Sequence, residues 1–279
     1  NSSKVSGEVM QKLLDEKSKE VDRLNLKIDI YQRLMLDQLQ DPSVMGNIIS
    51  NFTNRYNKFS KDMTINFNNT MNNPEYLKEL IGEYWFLTDK ILQDGIYYPL
   101  EGYLAPETYY FDKDSDVKDI VKRLLNQMEN NLEDYKDIMK DDPHYFMTMA
   151  SVVQLEGTNT ENRSMIAGIF QNRLSSGMNM GSDVTTYYAL QASMKEDLSA
   201  NEFATVNPYN TRGGNMIGKM PIGPICNPNM SSIEASVKPT KSDYYFFVAD
   251  KYGNIFYTKT NAEHDKKVAE IKANGDWIF

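Results

Sequence analysis

One carboxylate in this sequence lies where it could act as an acid or base on a bound substrate. At helical spacing Glu156 shares a stripe with Tyr145, Met149 and Val152, and the loop-forming stretch 157–160 follows it directly. A carboxylate on a core-facing stripe is costly to bury unless it is paired or its raised pKa is useful. Two interpretations stay open: Glu156 reaches solvent as its helix ends, or it lies at the edge of a cleft.

The sequence supplies few residues for other kinds of catalysis. It has two histidines, His144 and His264, and one cysteine, Cys226, so no disulfide can form within the chain. Zinc sites use several His or Cys ligands, so we expect neither a metal nor a cofactor. We interpret Cys226 as a small buried residue, and Glu101, a second candidate carboxylate, as part of a loop. The formal net charge of −9 argues against nucleic-acid binding.

The N-terminal quarter has a different pattern from the rest. Residues 6–40 form one long polar helical pattern, with apolar residues seven apart at Leu14, Val21, Ile28 and Met35. It predicts either a short coiled coil or an amphipathic helix on the surface or in a stalk. The asparagine-rich stretch 66–73 then separates a helical accessory segment, 1–65, from a catalytic domain, 66–279. The chain has no run of about 18 apolar residues and begins without Met, so we expect an upstream anchor or signal.

The remaining chain predicts an α+β fold, mostly helical with a small antiparallel sheet. Apolar periodicity predicts helices at 74–85, 117–139, 162–174 and 232–237, besides the helix that leads to Glu156. For the helix at 117–139 the predicted buried face is Ile120, Leu124, Met128 and Leu132. The aromatic runs 243–249 and 254–258 flank a glycine turn and predict a β-hairpin.

Several motifs occur in a fixed order from about residue 71 onward. They are 100–109 (LEGYLAPETY), 150–156 (ASVVQLE), 166–174 (IAGIFQNRL), 182–185 (SDVT), 209–211 (YNT) and 221–228 (PIGPICNP). Together they resemble the MltG/YceG-like family of endolytic murein transglycosylases. That resemblance covers roughly the last three quarters of the chain.

The resemblance implies a function and a site. The family cleaves the β-1,4 bond between N-acetylmuramic acid and N-acetylglucosamine within glycan strands, leaving 1,6-anhydro ends. Its catalytic glutamate falls on Glu156. Motif positions with side chains suited to sugar hydroxyls and amides give candidate substrate-binding residues, each with an alternative role in capping, turns or packing: Asn172, Asp183, Thr185, Tyr209, Asn210 and Thr211. For Arg173 we favour a structural ion pair.

The same resemblance implies a location and partners. Family members are anchored in the cell membrane by a single N-terminal span, with an extracytoplasmic catalytic domain. The expected partners are peptidoglycan strands and the synthases or the divisome or elongasome proteins of wall assembly.

Four positions depart from the family pattern. Gln154 replaces a glutamate, Gly181 a glutamine, Val184 a proline and Arg212 a tyrosine. Gln154, Gly181 and Arg212 motivate an alternative function, a glycan-binding or scaffolding module with weak or lost activity. A lyase dependent on pyridoxal phosphate is a third hypothesis, but no lysine lies in a recognisable motif for that cofactor.

Overall fold

The computed structural model describes residues 69–111 and 115–277, so the predicted accessory segment 1–65 lies outside the described residues. The described chain is largely helical with one two-stranded antiparallel sheet, which confirms the predicted α+β class. Its α-helices are α1 (Pro74–Glu83), α2 (Val117–Leu132), α3 (Lys136–Met139), α4 (Pro143–Glu156), α5 (Thr160–Ser175), α6 (Asp183–Leu190), α7 (Ala200–Phe203), α8 (Met230–Val237) and α9 (Asn261–Ala273). The strands are β1 (Phe246–Ala249) and β2 (Ile255–Thr258).

Short polar side chains fix where the principal helices begin. The Asp142 carboxylate accepts from the backbone N–H of Tyr145 at the start of α4, and the Asn159 side chain accepts from Asn162 N–H at the start of α5. Both are favourable N-cap arrangements because they satisfy amide groups that have no partner inside the helix. Pro143 at the first position of α4 has no amide hydrogen to lose.

Helix α2 corrects two sequence predictions. It ends at Leu132, and a 3-10 turn separates it from α3, where one helix to residue 139 was predicted. Its buried face is also rotated from the prediction and consists of Val121, Leu125, Met128 and Leu132. The predicted set advanced by four residues at every step and therefore drifted around a helix of 3.6 residues per turn, whereas steps of four, three and four stay on one face.

The apolar interior consists of two clusters, and α4 contributes to both. Met147 and Ala150 pack in the first cluster, which α1 and α2 largely build. Met149 and Val152 pack in the second, with α5 and α6 residues. Helix α4 is apolar around most of its circumference, as expected for a helix enclosed on several sides. It is therefore the central element of the described fold.

The segment that leads to the sheet lies directly along α5. A Cβ placed on Gly168 would lie 2.0 Å from the carbonyl oxygen of Thr240, so only glycine permits this backbone approach. Thr240 N–H also donates a hydrogen bond of 2.9 Å to Ser164 O. This contact holds the hairpin segment against the helix.

The predicted hairpin is present, with shorter strands than the sequence suggested. In its register Phe246 faces Thr258 and Ala249 faces Ile255. The turn contains Gly253 at a φ of +82°. The Asp250 carboxylate accepts from the backbone N–H groups of Tyr252 and Asn254. Helix α9 packs against both strands.

Candidate active site

Glu156 is the last residue of α4, as the sequence predicted. The next residue, Gly157, donates its N–H to the carbonyl of Val153 and ends the helix. Val153 is fully buried, whereas Glu156 is partly exposed. A Cβ on Gly157 would lie 2.5 Å from Cγ of Arg163, so a glycine lets α5 pass close to the end of α4. Glu156 thus lies at the boundary between the core and the surface.

The surroundings of Glu156 make it a weak acid. Ser182 Oγ donates a hydrogen bond of 2.5 Å to Glu156 Oε1. Removal of the carboxylate from water raises the pKa of Glu156 to about 7, and the negative charge of Asp183 adds to this effect. The Ser182 hydrogen bond and the charges of Arg212 and Arg173 act in the opposite direction. A carboxyl group with such a pKa can give a proton and take one back near neutral pH.

Ser182 is held in place by two buried threonines. Its N–H donates to Thr211 Oγ1 at 3.0 Å, and its carbonyl accepts from Thr185 Oγ1 at 2.6 Å. The two threonine hydroxyls lie 2.8 Å apart, and Thr211 N–H donates to Thr185 Oγ1 at 3.0 Å. Thr185 and Thr211, predicted to bind substrate, are therefore brought together behind Ser182. Their hydroxyls are buried and engaged, which supports a role in fixing the acid's hydrogen-bond donor.

Ser182 itself was missed by the sequence reasoning, which selected Asp183 and Thr185 from the same motif. The sequence offered two signals for it: Ser182 opens the motif 182–185, and serine is often the N-cap of a helix. Here the Ser182 hydroxyl makes no cap hydrogen bond to α6. It points instead to Glu156, a contact between residues 26 apart that local pattern does not reveal.

Asp183 and Arg212 form an ion pair beside the acid. Arg212 Nε donates to Asp183 Oδ1, and their side chains are 45% and 50% exposed. The Arg212 guanidinium also lies 5.4 Å from the centroid of the Phe203 ring. Of the predicted binding residues, Asp183 alone is exposed at the surface. The pair places opposite charges where both affect the pKa of Glu156.

Tyr209 and Asn210 are buried in the wall of this region. The Asn210 amide oxygen accepts from Thr186 Oγ1 at 2.7 Å, and its nitrogen donates to the carbonyls of Phe203 and Thr205 at 3.0 and 2.7 Å. The ring centroids of Tyr209 and Tyr97 lie 4.8 Å apart. These contacts indicate that both residues shape the loop that carries Thr211 and Arg212.

Asn172 points toward the hairpin segment. Its amide nitrogen donates to the carbonyls of Ser242 and Tyr244, both at 2.9 Å. Its side chain is therefore joined to a different part of the fold from the residues around Ser182. Direct contact between Asn172 and a substrate stays a prediction.

Arg173 is held by a backbone carbonyl and an aromatic ring. Its Nη1 donates to Met180 O at 2.5 Å, and its guanidinium lies 5.1 Å from the Phe246 ring centroid. Within the described residues no carboxylate lies within ion-pair distance of the Arg173 guanidinium, so the ion pair expected for Arg173 is not observed. Gly181, one of the departures from the family pattern, has a φ of +69° and passes close to the same guanidinium.

The side chain of Gln154 contacts α8, whereas the side chain of Glu156 contacts Ser182. Its Oε1 accepts from Asn229 N–H at 3.1 Å and from Ser232 Oγ at 2.8 Å, which fixes the N-terminus of α8. Both contacts require an acceptor oxygen, which glutamate also has. Neither of these two hydrogen bonds involves Glu156.

Two other candidate groups, Cys226 and Glu101, have structural partners. Cys226 Sγ donates to Ser151 O, and burial raises the pKa of this thiol to about 12, which makes it a poor nucleophile. Glu101 accepts from the Tyr188 hydroxyl. Nδ1 of His264 is buried without a partner in the part of the chain described. Among the described residues no group of three or more His, Cys, Asp or Glu could hold a metal ion.

The chain belongs to the YceG-like family, whose sequence model matches residues 6–270. This match includes most of the N-terminal segment that the motifs had left outside the resemblance. A protein of Bacillus subtilis named "Endolytic murein transglycosylase" is 39% identical over 184 residues, which cover 64% of this chain and 50% of that protein. A protein of the same name from Streptococcus pneumoniae is 33% identical over 206 residues, or 70% of this chain and 37% of that protein. The chain thus spans half or less of the length of these curated relatives.

A solved structure supports the same relationship. The crystal structure of a YceG-like protein from Listeria monocytogenes matches with a TM-score of 0.65 and 36% identity, over 71% of this chain and 66% of that one.

Proposed function

We propose that this chain is a peptidoglycan lytic transglycosylase that cleaves glycan strands internally and leaves 1,6-anhydromuramoyl ends. The names of its relatives and its family membership support this proposal. The observation that carries it is the state of Glu156, whose pKa is raised to about 7 and whose Oε1 is bonded to Ser182. A single carboxyl group of this kind is what an acid-then-base reaction requires.

In the first half of the proposed reaction Glu156 acts as a general acid. Because Oε1 accepts from Ser182, the proton resides on Oε2, which is left for the substrate. This proton passes to the glycosidic oxygen as the bond from that oxygen to C1 of the muramoyl residue breaks. Positive charge develops at C1, and the newly formed carboxylate stabilises it.

In the second half the same residue acts as a base. The Glu156 carboxylate takes the proton of the muramoyl C6 hydroxyl, and the C6 oxygen forms a bond to C1. The products are a 1,6-anhydro ring and a free hydroxyl on the other sugar, and Glu156 is again protonated. No water is consumed, and no second carboxylate is needed, in contrast with ordinary glycosidases.

The alternative is a glycan-binding or scaffolding module with weak or lost activity. One observation favours it: Arg212, which stands where the family has tyrosine, lowers the pKa of Glu156 and so reduces the protonated fraction. Asp183 opposes this effect from the same ion pair. Binding to glycan strands without any product would support the alternative.

The location and the partners are part of the proposal. No helix in the described residues is long and apolar enough to cross a membrane. We infer an extracytoplasmic catalytic domain, because murein transglycosylases act on the cell wall, and a single N-terminal membrane anchor. Peptidoglycan synthases or divisome or elongasome proteins are the proposed protein partners.

Mass spectrometry of the products from purified peptidoglycan tests the proposal. The unaltered protein should release fragments with anhydromuramoyl ends, and Glu156→Gln should release none. Glu234→Gln is a matched control, because Glu234 is also a helical carboxylate that accepts from a hydroxyl, that of Tyr135 at 2.6 Å. Anhydro products at an undiminished rate from Glu156→Gln would remove Glu156 from the mechanism.

A further inference from the structure

A second surface combines exposed aromatic rings with a row of side-chain amides. The loop stretch 107–111 lies beside the outer face of α2. The residues that define this surface, here named the aromatic–amide groove, are Tyr109, Tyr110, Phe111, Arg123, Asn126 and Asn130. None of them belongs to the site around Glu156.

The aromatic side of the groove exposes large rings to solvent. Tyr110 is 58% exposed and Phe111 is 39% exposed. The Tyr109 and Phe111 rings stack with centroids 5.9 Å apart, and the Arg123 guanidinium lies 5.8 Å from the Phe111 centroid. Neighbouring large rings left in water are a feature of binding surfaces, whereas single exposed apolar residues are common everywhere.

The helical side of the groove presents hydrogen-bonding groups at regular intervals. Arg123, Asn126 and Asn130 are spaced by three and four residues and so project from one face of α2, opposite Leu125 and its buried neighbours. The amide oxygen of Asn126 accepts from the Tyr84 hydroxyl at 2.7 Å. This bond fixes the side chain and leaves its two N–H groups for a ligand.

Two adjoining hollows open between the aromatic and the amide sides. Their volumes are about 370 and 520 Å³, and both are lined by Arg123 and Asn126. Each lies within the roughly 300–1,000 Å³ range of small-molecule sites. Two linked compartments that share a wall suit a ligand with repeating units.

We propose that the aromatic–amide groove binds an N-acetylated β-1,4-linked glycan strand at a second position, separate from the site of Glu156. The apolar C–H faces of sugar rings pack on aromatic rings, while hydroxyl and acetamido oxygens accept from amide and guanidinium N–H groups. The amides and Arg123 interrupt the apolar surface, and so do the charged residues Glu107, Asp119 and Lys122, which also line the hollows. This polar character disfavours a hydrophobic protein interface. The choice of this glycan rests on the proposed function.

Binding to purified, insoluble peptidoglycan tests the groove without interference from cleavage. All variants are made in the Glu156→Gln background, and the fraction that sediments with the polymer is measured over a range of polymer concentrations. Replacing both Tyr110 and Phe111 by Ala should weaken binding by about tenfold, the effect of losing two modest ring contacts. Tyr252→Ala is the control, because Tyr252 is 69% exposed but lies in the hairpin turn; it should bind like its parent.

Further variants distinguish the contribution of the aromatic ring to binding from those of the tyrosine hydroxyl and the asparagine amide. Tyr110→Phe should retain binding, because it keeps the ring face, and Asn130→Ala should weaken it. Thermal unfolding checks that each variant is folded. Equal binding by the double variant and its parent, or equal losses in the double variant and Tyr252→Ala, would overturn the proposal.

The two proposals fail in different ways. Anhydro products from the unaltered protein together with ring-independent binding would reject the groove alone. Ring-dependent binding without any product from the unaltered protein would reject the catalytic function and leave the groove as a binding site.

Discussion

The hydroxyl of Ser182 donates to Oε1 of Glu156 while the backbone of Ser182 is fixed by the side chains of two threonines. One oxygen of the carboxyl group is thereby engaged, and its plane is set by a buried framework. In the proposed reaction the other oxygen exchanges a proton with the substrate. This relationship gives separate, testable roles to the acid, to its hydrogen-bond donor and to the neighbouring charges.

Glu156→Gln should abolish cleavage and stabilise the fold above neutral pH. The folded-state pKa of about 7 exceeds the unfolded value of 4.5, so the unfolded state binds fewer protons between these values. Stability therefore falls as pH rises from about 4.5 to 7. At pH 8 the glutamine variant should be more stable by on the order of 1–3 kcal/mol, with little difference near pH 4. Thermal unfolding at both pH values measures this; an equal gain at pH 4 would contradict the titration.

Ser182→Ala should slow cleavage by roughly tenfold or more, because a hydrogen bond to a charged group is worth about 1.5–3 kcal/mol. It should also change the pH dependence. The acid must be protonated to start the reaction, so kcat/KM should decline above about pH 7. Loss of the Ser182 hydrogen bond raises the pKa of Glu156, and the decline should begin at higher pH. Ser164→Ala, which removes a hydroxyl bonded to Lys238 O, is the control. A rate loss with an unmoved profile would indicate a purely structural effect.

Asp183→Asn and Arg212→Gln should shift the pH profile of kcat/KM in opposite directions. Asp183 raises the pKa of Glu156 and Arg212 lowers it. The asparagine variant should therefore lose activity at lower pH than the parent, and the glutamine variant at higher pH. Because the pair is about half exposed, added salt should reduce both displacements. Profiles of kcat/KM at low and high salt provide the measurement, and displacements of the same sign would refute this account of the ion pair.

Gly168→Ala should destabilise the fold, whereas Gly82→Ala should not. The new methyl group at position 168 would lie 2.0 Å from Thr240 O, so α5 and the segment beside it must separate. We expect a loss of about 2–4 kcal/mol, in the range of overpacked core sites. At Gly82, in α1, nothing lies within 4 Å of the added atom, and alanine should add about 0.5–1 kcal/mol. Denaturant unfolding of the two variants compares them, and similar losses in both would contradict the close approach.

His144 should remain neutral to lower pH than a free histidine. Its Nε2 lies 2.7 Å from Ile222 O, which only accepts, so this nitrogen carries the hydrogen and Nδ1 accepts from the Tyr103 hydroxyl at 2.6 Å. Burial lowers the pKa of His144 from 6.5. Its contribution to stability is therefore complete above about pH 6.5 and is lost as pH falls below that value. NMR titration of the imidazole tests this, and a midpoint above 6.5 would contradict it. Tyr103→Phe, which removes the hydroxyl donor, should cost about 1–3 kcal/mol at neutral pH.

Local patterns predicted the elements of the fold well because those patterns are physical requirements of the elements. The hairpin followed from aromatic residues on either side of a glycine turn, and the end of α4 from the loop signal after Glu156. The predicted buried face of α2 was wrong because Ile120 and Leu124 are apolar but belong to a set spaced by four at every step, which drifts around the helix. Val121 and Leu125 are the apolar neighbours that stay on one face with Met128 and Leu132. The accessory segment 1–65, outside the described residues, stays a prediction.

The site was less accessible to sequence reasoning than the fold. Glu156 was selected from its place at the end of an apolar stripe and from the family motifs. Ser182 was missed because its contact with Glu156 depends on how α6 meets α4. Thr185 and Thr211 were selected for polar side chains that suit sugars, but the same polarity serves a buried hydrogen-bond framework. Sequence shows the chemical type of such a residue, and only the fold shows which partner uses it.

The place of α4 in both apolar clusters has a consequence for how the protein would lose the proposed activity. Met147 belongs to one cluster and Val152 to the other, and Glu156 ends the same continuous helix. The residue that carries the proposed chemistry therefore depends on both clusters for its position. Heat inactivation should therefore share one midpoint with the unfolding of the part of the chain that holds both clusters.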